Sequence, residues 1–224
     1  MAAANLDFYF DYLSHNAYLM WQKMPALVRG SGRELVTKPV LFAGFLKASG
    51  QLGPAEIPSK LHWMNRNNLR KAALLGVELR APVRHPFNPL LLLRVTAAEQ
   101  DIGRRNEMVG LLLKAVWVDR VDPNDPGALT AYLLSGGFDP SDLFARVDDD
   151  QVKARVKDLT DECLARGGFG VPTVLVDDEV FWGFDDLAYL ALFLKGEDPI
   201  AGLDLQAYEQ EWGATREKGA HRAR

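Results

Sequence analysis

The segment Gly168-Phe169-Gly170-Val171-Pro172-Thr173, which runs straight into Val174-Leu175-Val176, constrains the fold more than any other stretch. Proline has no N–H to give to a sheet ladder, so Pro172 belongs at the start or edge of a strand. A cis Val171–Pro172 link would turn the chain sharply and leave the Val171 backbone exposed, and X–Pro is the one peptide link where cis is common. An exposed N–H and C=O beside a strand can capture an extended peptide as one further strand. The plainer reading is an ordinary turn ahead of a strand. The segment by itself allows both.

The other half of the argument lies near the start of the chain. Leu6-Asp7-Phe8-Tyr9-Phe10-Asp11 reads as a short aromatic strand, and a helix pattern follows from Asn16 to Arg29. Ser14 therefore sits at a strand-to-helix turn. Thioredoxins place their thiol-handling group at such a turn, where unpaired N–H groups and the positive end of the helix dipole favour a thiolate. Serine is also a preferred N-cap, and the two roles are compatible. The expected fold is α/β, a thioredoxin-like fold split by a large all-helical insertion. Residues 1–42 and 150–200 would form the thioredoxin-like part and 43–149 the insertion. Residues 201–224 would be a C-terminal extension, disordered from Gly213. Helices are expected at Lys60–Leu75, Pro89–Gln100, Arg104–Val118, Ala128–Ser135, Pro140–Phe144, Val152–Arg166 and Asp185–Lys195. Strands Thr173–Val176 and Val180–Trp182 would pair across Asp177-Asp178-Glu179. Leu90 to Leu93 is too continuous for an amphipathic surface helix and should be buried.

A redox role fails on a cysteine count. Cys163 is the only cysteine, so no C-x-x-C exists and no internal disulfide can cycle. Val152, Val156, Leu159 and Cys163 recur at helical spacing, which makes Cys163 a small buried hydrophobe. The four histidines have no ligand spacing with acids or with the cysteine, so no metal is expected. With 26 basic and 30 acidic residues the net charge is −4, which offers nucleic acid no attracting field. No apolar run approaches the ~20 residues that span a bilayer. Met1-Ala2-Ala3-Ala4-Asn5 lacks the regions of a signal peptide, so a cytoplasmic location is expected.

Phe8-Tyr9-Phe10-Asp11-Tyr12-Leu13-Ser14, with Tyr18-Leu19 beyond, resembles the opening of the 2-hydroxychromene-2-carboxylate isomerases and the related kappa-class glutathione transferases. Further matches follow in order: Lys38-Pro39-Val40-Leu41-Phe42, Lys47-Ala48-Ser49-Gly50, Ile57-Pro58-Ser59-Lys60 and Pro86-Phe87-Asn88. Ala115-Val116-Trp117-Val118, Asp122 to Leu129, Gly168 to Pro172 and Phe181-Trp182-Gly183-Phe184-Asp185 complete the set. The resemblance implies a glutathione-dependent isomerase of a small aromatic carboxylate, working by transient thiolate addition with no net redox, in a homodimer. Two alternatives stay open: a kappa-like transferase that leaves the sulfur on an electrophile, and a glutathione- or small-ligand-binding protein without turnover.

The resemblance also implies roles. Ser14 would be the catalytic hydroxyl that stabilises the glutathione thiolate. Val171 and Pro172 would hold the cysteinyl part, and Gly183, Phe184 and Asp185 the γ-glutamyl end. Lys60 and Gln51 would be further glutathione contacts, with Asn88 and His15 on the substrate side. Plainer readings stand beside these: Asp185 as a helix cap, Lys60 as a solvated lysine, Asn88 as the cap of a helix opening at Pro89, and His15 pointing to solvent. The chain departs from the family pattern at His15 (usually proline), Ala17 (serine), Gln51 (asparagine) and Asp186 (arginine). Asp186 is expected to set a negative charge against the glutathione carboxylate.

Overall fold

The computed structural model describes residues 5–219, with side chains through residue 213. Its sheet is mixed and four-stranded, in the order β2-β1-β3-β4. β1 (Asn5–Phe10) lies inside, parallel to β2 (Glu34–Pro39) and antiparallel to β3 (Thr173–Val176). A strand covered on both faces needs no apolar–polar alternation, and Leu6 to Phe10 are all buried. Leu6, Phe8 and Phe10 share one face, where Phe8 stacks on Phe10 at 5.5 Å and tilts against Trp21 at 5.7 Å. Asp7 and Tyr9 share the other.

β3 opens directly after Pro172, and the Val171–Pro172 peptide is cis. β4 (Glu179–Trp182) follows a two-residue turn, Asp177-Asp178, with φ of 49° and 71°. Paired positive φ values match the twist of the flanking strands in a hairpin. Glu179, expected in the turn, instead pairs with Val176.

The expected helix Asn16–Arg29 is two helices, α1 (His15–Trp21) and α2 (Met24–Ser31). Pro25 is the cause. It has no N–H to return to the Trp21 carbonyl, and its ring would clash there, so a second helix starts with Pro25 in its first turn. α3 (Phe42–Ser49) has no counterpart among the expected helices. Its start is held by distant side chains: Leu41 N–H donates to Thr160 Oγ1 at 3.0 Å and Phe42 N–H to Asp11 Oδ2 at 2.9 Å.

α4 (Pro58–Leu75) opens on a proline at its first position, two residues before the expected start. α5 (Leu90–Ala98), α6 (Ile102–Trp117), α7 (Pro126–Ser135) and α8 (Ser141–Arg146) follow. α6 starts earlier than expected because the Asp101 carboxylate caps it, accepting from Arg104 N–H at 2.8 Å. α9 (Asp150–Ala165) returns the chain to the sheet. α5, α6 and α9 all pack on β2, so the insertion's core is continuous with that of the sheet. Leu92 and Leu93 are fully buried there, whereas Leu90 and Leu91 are half-buried. Cys163 packs with Tyr9, Val40, Phe45 and Leu175. Burial pushes its thiol up to about 12, which makes it inert.

A tight 3-10 turn, Phe184–Asp186, precedes α10 (Leu187–Leu194), which therefore starts after Asp185. The chain divides into two compact units, Met1–Ala188 and Tyr189–Arg224. The second holds α11 (Leu205–Gly219). The disordered tail expected from Gly213 is thus helical as far as Gly219, over strong helix formers such as Ala214, Arg216, Glu217 and Lys218. Residues 220–224 lie outside the described residues. Among the described residues no helix is long and apolar enough to cross a membrane.

Candidate active site

Ser14 stands between the end of β1 and the start of α1. Its N–H donates to the Asp11 carbonyl at 3.0 Å, and its Oγ accepts from Ala17 N–H at 3.2 Å, an N-cap. The same Oγ lies 3.5 Å from the carbonyl of Val171, 157 positions along the chain. That distance is the outer limit of a hydrogen bond, so the hydroxyl proton is held loosely and is open to a better acceptor. The Val171 N–H and C=O stay outside the ladder, which begins at Thr173. Gly183 N–H donates to the Pro172 carbonyl at 2.9 Å, drawing the turn after β4 to the same edge. Gly183 has φ of 76°, a conformation that costs other residues strain.

Asp11 lies fully buried beneath this turn, its carboxylate accepting from Leu13 N–H at 3.0 Å and Phe42 N–H at 2.9 Å. Burial pushes its carboxyl up to about 6, against the pull of those two donors. His15 does not point to solvent. Its ring stacks on Trp117 at 5.4 Å, and Trp117 in turn lies 5.8 Å from His85 and donates its Nε1–H to the Tyr12 carbonyl at 3.0 Å. Burial, with help from His85 and Lys71, holds the His15 pKa down to about 4. The ring is therefore uncharged at neutral pH. Its Nδ1 is buried without a partner.

Asn16 and Asp185 meet at a residue that sequence reasoning missed. Lys71 Nζ, from α4, donates to Asn16 Oδ1 at 3.3 Å and Asp185 Oδ2 at 2.8 Å, and lies 5.2 Å over the Phe184 ring. Asp185 thus binds a buried cation and does not cap a helix. The Asp186 carboxylate reaches back from the turn to the end of β4, accepting from Trp182 N–H at 2.7 Å. The negative charge expected to oppose a bound carboxylate is engaged by the backbone. The helix expected to open at Pro89 opens at Leu90 with Pro89 as its N-cap, and Asn88 stands one residue ahead of that cap in an Asx turn, its Oδ1 accepting from Leu90 N–H at 3.1 Å. Gln51 and Lys60 are exposed, and the side chain of neither makes a hydrogen bond or ion pair among the described residues. The structure does not bring these two, or Asn88, into contact with Ser14.

A cavity of about 870 Å³ lies at the far end of α1, lined by Trp21, Arg29, Leu35 and Asn106 among others. None of the residues around Ser14 lines it, and the polar groups that carry chemistry converge on the Ser14 edge. Among the described residues no group of three or more His, Cys, Asp or Glu is placed to hold a metal ion.

Over most of its length the chain is similar to known proteins. The model of the DSBA-like thioredoxin domain matches residues 5–195. A 2-hydroxychromene-2-carboxylate isomerase of Sphingobium xenophagum is 29% identical over 191 residues, covering 84% of this chain and 97% of that protein. Glutathione S-transferase kappa 1 of Rattus norvegicus is 23% identical over 215 residues, covering 86% and 91%. A solved 2-hydroxychromene-2-carboxylate isomerase superposes with a TM-score of 0.78 at 25% identity, over 85% of this chain and 94% of that one. With the domain model matched from β1 to beyond α10, the chain belongs to the DSBA-like thioredoxin domain family.

Proposed function

We propose that the protein is a glutathione-dependent isomerase of a small aromatic carboxylate, of the 2-hydroxychromene-2-carboxylate type. One observation carries the reading. The Ser14 hydroxyl faces the free Val171 backbone at 3.5 Å in a chain without C-x-x-C, a thiol-binding edge with no thiol of its own. The similarity to proteins named as isomerases and as a kappa transferase supports it. The residues fit glutathione: the Val171 N–H and C=O can pair with the cysteinyl backbone as an added strand.

When bound, glutathione supplies a thiol whose addition to a conjugated substrate, and later departure, permits rotation about a former double bond with no net redox change. Ser14 turns its Oγ–H from the Val171 carbonyl to the sulfur position and stabilises the ionised form. Ala17 N–H keeps donating to Oγ and so holds it in place during that exchange. The half-buried His15 ring, uncharged and backed by the buried Trp117, offers a face against which an aromatic substrate can lie.

The test is an absorbance assay of 2-hydroxychromene-2-carboxylate with and without glutathione. Rearranged substrate should appear only with glutathione, which should be recovered unchanged. A stable thioether product would move the protein to the transferase reading, and glutathione binding without turnover to the binding-protein reading.

A further inference from the structure

The cavity of about 870 Å³ at the far end of α1 has the volume of a small-molecule site. α2, the start of β2, α6 and the residues after α7 border it, and Val28, Leu35, Ile102, Leu111 and Phe138 make its walls apolar. Its polar groups differ in what they have left to give. Asn106 is engaged: its amide N–H donates to the Leu35 carbonyl at 2.8 Å, and its Oδ1 accepts from Thr37 Oγ1 at 2.8 Å. Arg33 is paired with Asp177, and Lys114 with Asp119. Trp21 is the exception. It is 8% exposed, and its Nε1–H donates to no acceptor among the described residues. The nitrogen is not wholly covered either. It lies against Gly110 of α6, where a Cβ would come within 2.7 Å of it, and both residues line the cavity. A glycine inside a helix costs stability against alanine; here the missing side chain lets the indole edge reach the cavity. A buried indole N–H usually finds an acceptor. At Trp21 the cavity is the direction left open for one.

We propose that this cavity is a second small-molecule site, for an uncharged, largely apolar molecule whose one carbonyl oxygen accepts from Trp21 Nε1–H. The walls supply the hydrophobic contact. The lack of charge on the ligand follows from the rim. Besides the two paired cations it carries Arg29, Glu34 and Glu107, all exposed, one positive and two negative. Such a rim favours neither sign, and a charged group taken further in would lose water without meeting a counter-charge. A neutral oxygen at the indole gains a hydrogen bond where the alternative is an unsatisfied donor. None of the residues around Ser14 lines the cavity, so the site does not depend on glutathione being the cofactor.

Proton–nitrogen correlation spectra of the full chain resolve its five indole N–H groups, and Trp21 is assigned through bonds to its own backbone. The probes are 1-indanone and indane, one bicyclic skeleton with and without the carbonyl. 1-Indanone should move the Trp21 indole signal to saturation and leave those of Trp117 and Trp182, on the Ser14 side, in place. It should bind about three- to tenfold more tightly than indane, the scale of one neutral hydrogen bond. Trp21→Phe keeps a ring against Phe8 and loses the donor. It should bring the two affinities together, read on the Gly110 amide, with near-ultraviolet circular dichroism still native. If that variant does not fold, the wild-type comparison decides alone. A Trp21 signal unmoved up to the solubility limit of the ketone removes the site. Shifts confined to Trp117 or Trp182 place the ketone at the Ser14 edge and overturn the proposal equally. Equal wild-type affinities, or a preference that survives Trp21→Phe, would show that the indole does not anchor the ligand and overturn the assigned class.

Discussion

A serine hydroxyl has one proton to give, and at Ser14 the acceptor on hand is a carbonyl at the limit of reach. Ser14→Ala is expected to lower turnover by about 10²-fold, the scale of a positioned group that tunes a reacting charge. Glutathione binding should persist through the Val171 backbone. The lost cap should also cost about 1 kcal/mol of stability. Steady-state rates at saturating glutathione, with a melting curve, check both halves, and equal rates would move the role away from Ser14. Asp186 gives the opposite case. Because its carboxylate holds Trp182 N–H, Asp186→Ala should lower stability by about 1 kcal/mol and leave glutathione affinity within about twofold. A large change in calorimetric affinity would return Asp186 to the binding site. Ser14 and Val171 are legible in the sequence because each sits in a local motif, a turn before a helix and a proline before a strand. Lys71 is not legible. It lies on a polar helix whose buried side is set by packing against α1, and no local pattern marks which side that is. The charge of Asp186 is equally plain in the sequence, but the direction of its side chain is not.

Elements were legible where one segment carries its own signal. β1 and β3 are apolar runs bounded by turn residues, and both lie where the sequence places them. α3 starts on hydrogen bonds from Asp11 and Thr160, which only the folded chain brings near. The break between α1 and α2 was visible in Pro25, but the apolar periodicity runs across it. The connection from α9 to β3 shows how tightly these elements are joined. Gly168 N–H donates to the Cys163 carbonyl at 2.8 Å. A Cβ at Gly168 would come within 2.4 Å of Cys163 Sγ and 3.0 Å of that carbonyl oxygen. Gly168→Ala should therefore destabilise the protein by about 1–3 kcal/mol, the usual range for overpacking a tight site. Adding Cys163→Ala removes the sulfur clash but not the carbonyl one, so the pair should recover part of the loss. Urea unfolding of the single and double variants tests this, and full additivity would show that the two residues do not collide.

At the scale of the whole molecule, distant segments are fastened by a partly buried charge network. Lys38 on β2 pairs with Asp7 on β1 at 2.9 Å and with Glu162 on α9 at 2.7 Å, and Arg166 joins the same group. Such a network has value only when complete. Burial would raise the Glu162 carboxyl, but the Lys38 and Tyr9 donors outweigh it and hold it below its ordinary range. Its contribution is therefore lost only in stronger acid. Two other buried groups set the response to milder acid, and they oppose each other. His15, lowered by burial from 6.5 to about 4, stays neutral in the native state while the unfolded chain takes up a proton. Stability is lost on this account as pH falls through that window. Asp11, raised by burial from 3.8 to about 6, is protonated first in the native state, so stability is gained as pH falls from about 6. Over the range from about pH 6.5 to 4.5 each effect amounts to about 2 kcal/mol. The wild-type unfolding free energy should thus change by less than about 1 kcal/mol across it. His15→Phe, which keeps the stack on Trp117, should make stability rise with acidification, and Asp11→Asn should make it fall. The slopes of urea-derived stability against pH decide this, whatever the absolute cost of each substitution. Parallel slopes for all three proteins would mean that neither His15 nor Asp11 titrates as its burial requires.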